Sequence, residues 1–490
     1  MKDKLLKILH LFILLLITIV IVASFYLHRS LGDTNFEELM FYSVSKIGNA
    51  DLSTFFTALK LCLPFLIIIA VILYALFYDI TFGKKQTKFY PFKHLNKHRW
   101  LYTMILLIIS LTMLLNSVKV FDYITSNLKK SNFIADHYVN PKDVNITFPD
   151  TKRNLIIITV ESLEYSFFTK EQGGAWDYEI IPELHELLHD SDAVTFNNNK
   201  GMYMIQGASF TTGSIVTNES GVPLKIGFNR KGYSNQDFMS GSYTLGDLLK
   251  DNGYNNEIIS GATTSYGGLD YYYKQHGSYN IIDLDRIKNY NYNVTSDDYG
   301  KWGLNDNFTF KFAKQRLDTL ASQDKPFNLE IVTIDTHFTD GYVGSYSETK
   351  FDKQYENAYA TTSRLIYDFI SYVKEQPYYD NTTILIVGDH LAMQTDFINN
   401  DMFDDRTVYF CIINPVSKEK YYSNRTFTAL DTYPTIIKAI GGKVNNNKLG
   451  LGVNLFSKEK TLAEKYGVTK LNNELKKKSK FYNKVVLELR

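Results

Sequence analysis

Only 2 of the 490 residues are cysteine, so no disulfide framework can organise this chain. Cys62 sits in an apolar run and Cys411 in the strand-like TVYFCII, places that give the two no reason to pair. An excess of either charge is also missing. The 53 Lys and Arg residues against 52 Asp and Glu leave a formal net charge of +1, which excludes the broadly basic surface of a nucleic-acid binder. Aromatic residues are not scarce, at 15%, but a Tyr-rich composition suits a large ordered core as well as a sugar- or headgroup-binding surface.

What is present begins with three apolar runs, residues 11–27, 61–78 and 100–115. Each is close to the roughly 17–25 residues that cross a bilayer, and none carries a charge in its interior. Lys2, Lys4 and Lys7 precede the first, as in a signal peptide. No Ala-x-Ala cleavage site follows, however, and two further runs do, so an uncleaved anchor is expected. The loop between the second and third runs carries Lys84, Lys85, Lys88, Lys93, Lys97 and Arg99 against Asp79. By the positive-inside rule this loop and the amino terminus are cytoplasmic, and everything after Leu115 lies on the other side, making a multi-pass protein of the cell membrane. With no charged residue inside the runs, they read as an anchor rather than a transport path. The expected organisation is a membrane anchor over 1–120, a polar connector with Pro141 and Pro149 over 121–153, an α/β domain over 154–456, and a Lys-rich, helical or loose tail over 457–490.

The α/β part centres on TTILIVGDHLAM, residues 382–393. Thr382 to Val387 is a buried strand by content, and Gly388, Asp389 and His390 follow at its carboxyl end. Two more strands end in polar residues: 154–160 in Glu161, and 328–334 in Asp335, His337 and Asp340. Helices are predicted at 182–188, 245–252, from Asn305 or Asp306, and at 355–373, where Leu365, Ile366, Phe369, Ile370 and Val373 keep helical spacing. Such alternation predicts a mostly parallel sheet between helices, whose strands share one carboxyl edge. Glu161, His337, Asp389 and His390 then converge there. Taken singly, Asp389 and Glu161 could be helix-cap acids. Small and hydroxyl residues crowd from Gly207 to Ser214 ahead of a predicted helix that stops at Gly221, so Ser209, Thr211 and Thr212 are all candidate nucleophiles at a helix amino terminus, or ordinary caps. Carboxylates, a histidine and a hydroxyl make a divalent-metal site suited to manganese, magnesium or zinc. Residues 262–293, rich in Gly, Tyr and Asn, offer no pattern to assign.

Taken in order, VESLE, FTTGSIVTNESGVPL, WGLND, IDTHFTDG, GDHLAM, ALDTYPTIIKAIGG and LGLGVNLFS resemble the alkaline phosphatase and sulfatase superfamily over about 154–456. The likeness is greatest to its membrane-anchored phosphoglycerol transferases, those that decorate periplasmic glucans, with lipoteichoic acid synthases as relatives. The resemblance implies one divalent ion, manganese before magnesium or zinc, held by Glu161, Thr211, Asp389 and His390. It implies Thr211 as nucleophile, with Thr212 as the alternative, and His337 against the phosphate or leaving group. It implies transfer of phosphoglycerol from phosphatidylglycerol, through a phosphothreonine-type intermediate, to an envelope glycan or teichoic-acid-like polyglycerolphosphate acceptor at the bilayer. Substrate contacts are expected from Tyr266, Asp270 and Trp302. In SYGGLDYYYK the Trp and Arg of lipoteichoic acid synthases are absent, and Leu269 stands where a basic residue is expected. A phosphoethanolamine transferase, or an inactive anchored glycan-binding protein, would share much of this pattern.

Overall fold

A computed structural model describes residues 2–30, 36–44, 52–78, 80–82, 87–89, 92–198, 200–228, 231–289 and 292–488. The fold divides into two compact units, Met1–Phe36 with Asn49–Ile124, and Glu37–Gly48 with Thr125–Arg490.

In the first unit, helices α1 (Lys2–Ser30), α3 (Leu52–Phe77) and α4 (Arg99–Ser117) contain the three spans that, among the described residues, are long and apolar enough to cross a membrane, Lys2–His28, Leu59–Phe77 and Arg99–Ser117. Many of their large side chains face outward, among them Leu15, Ile67, Ile68 and Ile108, as expected where lipid rather than water is the solvent. His10 joins the three segments by bonding Tyr78 Oη at 2.7 Å and Thr103 Oγ1 at 2.8 Å, a polar tie of the kind that fixes helix register in an apolar medium. Of the loop charges used for orientation, Asp79, Lys84 and Lys85 lie outside the described residues.

The second unit is built on a seven-stranded sheet. Its strands are β1 (Asn154–Val160), β2 (Ala193–Val194), β3 (Asn255–Ser260), β4 (Asn280–Ile282), β5 (Phe327–Val332), β6 (Thr382–Gly388) and β7 (Phe410–Ile413), in the order β2-β7-β6-β1-β5-β3-β4. The pairings among β6, β1, β5, β3 and β4 are parallel, and β7 and β2 add an antiparallel edge. Every residue of β1, β5 and β6 is buried, the reason these strands read as unbroken apolar runs. Ile156, Ile158, Leu329, Ile331, Ile384 and Ile386 share one core with Leu184, Leu317, Ile366 and Phe369. Those last four come from α5 (Pro182–Leu188), α9 (Asp306–Ala321) and α10 (Gln354–Lys374). The intervening Leu155, Ile157 and Leu385 are buried as well, so both faces of the sheet are covered.

The unassigned Gly- and Tyr-rich region contains the helix α8 (Leu269–Gln275) and the edge strand β4. Gly267 and Gly268 enter α8 with φ of 67° and 65°, a left-handed entry that hid the helix from its periodicity. The Lys-rich stretch expected as an appendage is instead packed. Its helix α12 (Val468–Lys476) buries Leu471 and Leu475, and Tyr482 Oη donates to Pro223 O at 2.7 Å. Lysines on the outer face concealed an i,i+4 apolar pair that needs a partner surface to be recognised.

Candidate active site

Register brings the polar strand ends together. Val160 pairs with Gly388 and Thr159 with Val332, so Glu161, Asp389 and the loop after β5 leave the sheet side by side. Glu161 N donates to Thr333 Oγ1 at 3.0 Å, and Thr336 Oγ1 to Glu161 O at 2.6 Å. From α10, Tyr359 Oη donates to Ser162 O at 3.0 Å and Tyr355 Oη to Thr336 O at 2.8 Å, so the helix covering the sheet also holds the loops. Gly388 precedes Asp389 because a Cβ there would stand 2.0 Å from Leu163 O.

Glu161, Asp389 and His390 are buried, and each offers a ligand atom within 4.8 Å of the others. His390 Nε2 lies 3.5 Å from Glu161 Oε1 and 3.4 Å from Asp389 Oδ2. Its Nδ1 is 2.9 Å from Leu391 O, a contact in which the ring must donate, leaving Nε2 as the atom turned to the carboxylates. Ser162, at φ 54°, turns its Oγ to donate to Glu161 Oε1 at 2.6 Å and its N–H to donate to Asp389 Oδ1 at 2.7 Å. Asp389 Oδ2 is buried and has no hydrogen-bond partner among the described residues.

Burial and the charge of Glu161 push Asp389 up to about 6, against the opposing pull of His390. Burial alone would lower His390, but Asp389 and Glu161 outweigh it and raise the imidazole to about 9. Two carboxylates therefore hold a proton on His390, the positive charge that a divalent ion would replace. A buried orphan oxygen, a second carboxylate and an imidazole whose Nε2 faces both, and whose proton an ion would displace, fit a manganese, magnesium or zinc ion by donor chemistry.

Thr211 opens the helix α6 (Thr211–Ser220), with its Oγ1 3.5 Å from Glu161 Oε2. Thr212 turns away and donates to Gly267 O at 3.3 Å, and Ser209 Oγ is buried with no hydrogen-bond partner among the described residues. Of the three hydroxyls, Thr211 is thus the one that donates to the carboxylate cluster. His337 donates from Nδ1 to Phe338 O at 2.7 Å and lies beside Trp302, ring centroids 4.9 Å apart and the planes tilted by 56°. Burial takes His337 down to about 4, with the nearby charges of His390 and Lys301 adding to the fall. Lys301 Nζ lies over the Trp302 ring at 4.6 Å and donates to Thr339 O at 2.7 Å.

The expected substrate residues divide. Trp302 stands against His337. Tyr266 is 53% exposed, and the turn it opens is bound to α6 through Thr212. Asp270 is engaged by Lys274, Oδ2 to Nζ 2.7 Å. Sequence reasoning passed over Ser162, Lys301 and Glu38. Ser162 was detectable as the neighbour of Glu161 in VESLE and Lys301 as the neighbour of Trp302, whereas nothing local points to Glu38. Glu38 is buried, and the charges of Glu38 and His390 act on one another. Burial raises its carboxyl to about 8 while His390 lowers it.

Residues 153–442 match the sulfatase family. The chain belongs to that family. This sulfatase-family chain is 28% identical over 353 residues to phosphoglycerol transferase I of Shigella flexneri, an alignment covering 67% of this chain and 44% of that protein. Phosphoglycerol transferase I of Escherichia coli strain SMS-3-5 aligns to the same extent, at 28% identity. The chain thus spans less than half the length of these curated relatives. Its fold is similar to that of an alkaline phosphatase superfamily protein from Vibrio parahaemolyticus, with a TM-score of 0.50, 20% identity, and coverage of 67% of this chain and 76% of the other. It is likewise similar to the lipoteichoic acid synthase of Listeria monocytogenes, TM-score 0.50 at 16% identity, covering 66% and 80%. The integral membrane lipooligosaccharide phosphoethanolamine transferase A of Neisseria meningitidis matches 87% of this chain and 84% of its own, TM-score 0.51 at 13% identity. The expected superfamily and its mostly parallel α/β fold are therefore borne out.

Proposed function

We propose that this membrane protein transfers phosphoglycerol from phosphatidylglycerol to a cell-envelope glycan or polyglycerolphosphate acceptor, on the extracytoplasmic face, through an ester on Thr211. The observation that carries this reading is the bond from Thr211 Oγ1 to Glu161 Oε2 at the edge of the Glu161, Asp389 and His390 cluster. The alignment with phosphoglycerol transferase I over two thirds of the chain supports the choice of transferred group. In this reading the anchor covers 1–120, the connector 121–153, the catalytic domain 154–456 and the tail 457–490, whose helix α12 buries Leu471 and Leu475.

Glu161, Asp389, His390 and the Thr211 oxygen would hold one divalent ion, manganese by preference. When bound, it supplies the positive charge that lowers the proton affinity of the threonine oxygen and neutralises the phosphoryl oxygens. Thr211 Oγ1 bonds to phosphorus as its proton leaves by Glu161 Oε2, to which it already points. The bond from phosphorus to the diacylglycerol oxygen breaks. His337, neutral at rest, presents Nε2 because Nδ1 is committed to Phe338 O. The anionic diester beside it raises its proton affinity, so that Nε2 takes up a proton from solvent as the donor binds, gives it to the departing oxygen and then accepts the proton of the acceptor hydroxyl. That hydroxyl displaces Thr211, whose oxygen takes back its proton from Glu161 as the free threonine is regenerated. Anchoring near the lipid raises the effective concentration of the donor.

The test is diacylglycerol release from phosphatidylglycerol liposomes by the full-length chain with manganese. Thr211→Ala should release less than about a thousandth of the wild-type rate at unchanged thermal stability, as expected for a covalent nucleophile. Release at the wild-type rate by that variant contradicts the assignment, and preferential turnover of phosphatidylethanolamine would move the donor to the ethanolamine class.

A further inference from the structure

In the first unit the start of α1, the end of α3 and the start of α4 meet around Tyr78, the residue that follows α3. The Tyr78 ring is held from two sides. His10 Nδ1 is 2.7 Å from its Oη while His10 Nε2 is 2.8 Å from Thr103 Oγ1, and Tyr74 stacks on the ring with centroids 5.1 Å and planes 22° apart. Two cations converge on this one ring. Lys7 Nζ lies 5.1 Å from its centroid and the Arg99 guanidinium carbon 5.9 Å. Among the described residues neither cation has an ion-pair partner, and Asp3, one turn before Lys7 on α1, does not pair with it.

A π face attracts a cation but carries no net charge, so two positive charges around one ring stay uncompensated. Their repulsion grows where water gives way to the apolar interior of a bilayer, and an anion between them would remove it. The neighbouring side chains decide which anion. Trp100, its ring 5.0 Å from His10, is an aromatic residue of the kind that sits at headgroup level. Ile8 beside Lys7 and Leu101 beside Trp100 are exposed apolar residues, which suit a phosphate carrying acyl chains and offer nothing to a free phosphate. We infer that Lys7 and Arg99, gathered around Tyr78, form a binding site for the phosphate of an anionic phospholipid in the leaflet bordering the amino-terminal end of the spans. In the orientation proposed above this is the cytoplasmic leaflet, so the bound lipid is not the donor, and the site does not depend on which group the catalytic cluster transfers.

Native mass spectrometry of the full-length chain, released from detergent micelles containing phosphatidylserine or phosphatidylcholine, tests this. Wild type should retain one phosphatidylserine at a lipid concentration roughly thirtyfold below that needed for phosphatidylcholine, the preference that two cations at a membrane surface supply. The double variant Lys7→Gln with Arg99→Gln should bind the two lipids alike. Lys7→Gln alone, a change at an exposed position, should lose about fivefold of the preference, and it carries the decision if the double variant does not fold. Lys2→Gln with Lys4→Gln removes as much charge from the same end but none from the Tyr78 ring, and should keep the preference. Millimolar inorganic phosphate should leave the lipid bound. An unchanged preference in the Lys7 and Arg99 variants overturns the inference. So does an equal loss in the Lys2 and Lys4 variant, which would mean a diffuse basic surface, or displacement by phosphate, which would mean a site for free anions.

Discussion

His337 shows how much a single environment decides. An exposed histidine titrates near 6.5, but burial takes this one down to about 4, so the folded chain excludes a proton that the unfolded chain accepts. Stability should therefore fall as pH drops below about 6.5 and finish falling near 4, by on the order of 3 kcal/mol for this group. Urea unfolding of wild type and His337→Gln between pH 7 and 4 checks the sign. The variant should lose less stability over that window, and equal losses would show that His337 is not buried neutral. The choice among Ser209, Thr211 and Thr212 is also made at this scale. Chemistry alone could not separate three hydroxyls, whereas the helix start sends one towards Glu161 and the next towards Gly267. The convergence of Glu161, Asp389 and His390 was legible because parallel neighbours must end on one edge, and their spacing of a few ångströms follows from register.

At the scale of elements, α6 depends on a glycine in its first turn. By helix propensity, Gly213→Ala should stabilise by up to about 1 kcal/mol. Close packing reverses that expectation, because an added Cβ would meet Gly207 O at 2.5 Å and the Phe210 ring at 2.8 Å. Overpacking of this kind costs about 1–3 kcal/mol, so the variant should be less stable by about 1–2 kcal/mol. It should also transfer more slowly, since the displaced residues carry Thr211. Denaturant melts and liposome turnover together check this, and a stabilised, fully active variant would contradict the contact. The same contrast explains which elements were readable. β1, β5 and β6 announce themselves as buried β-branched runs, and α10 by its stripe of Leu365, Ile366, Phe369, Ile370 and Val373. By contrast α8, entered through two left-handed glycines, and α12, with two leucines among lysines, acquire their meaning only from the surfaces they meet. The helix α2 (Phe36–Val44) is the extreme case, since FEELMF is too short for any period to identify, and its attachment comes from Gln206, Ile226 and Phe210 far along the chain.

For the whole molecule, the described residues of the two units divide the work that the sequence outlines: three apolar helices long enough for a bilayer, and a sulfatase-family α/β unit with one acidic and histidine-bearing cluster at the carboxyl edge of its sheet. The central claim is that the cluster and Thr211 act together to make a covalent lipid-derived intermediate. Mass spectrometry of the full-length chain after brief incubation with phosphatidylglycerol and manganese, without acceptor, tests it most directly. A glycerophosphoryl adduct on the peptide carrying Thr211, localised to that residue and absent after metal removal by chelation, is the predicted result. An unmodified Thr211 in a chain that still releases diacylglycerol, or an adduct on Thr212 or Ser209, would contradict it.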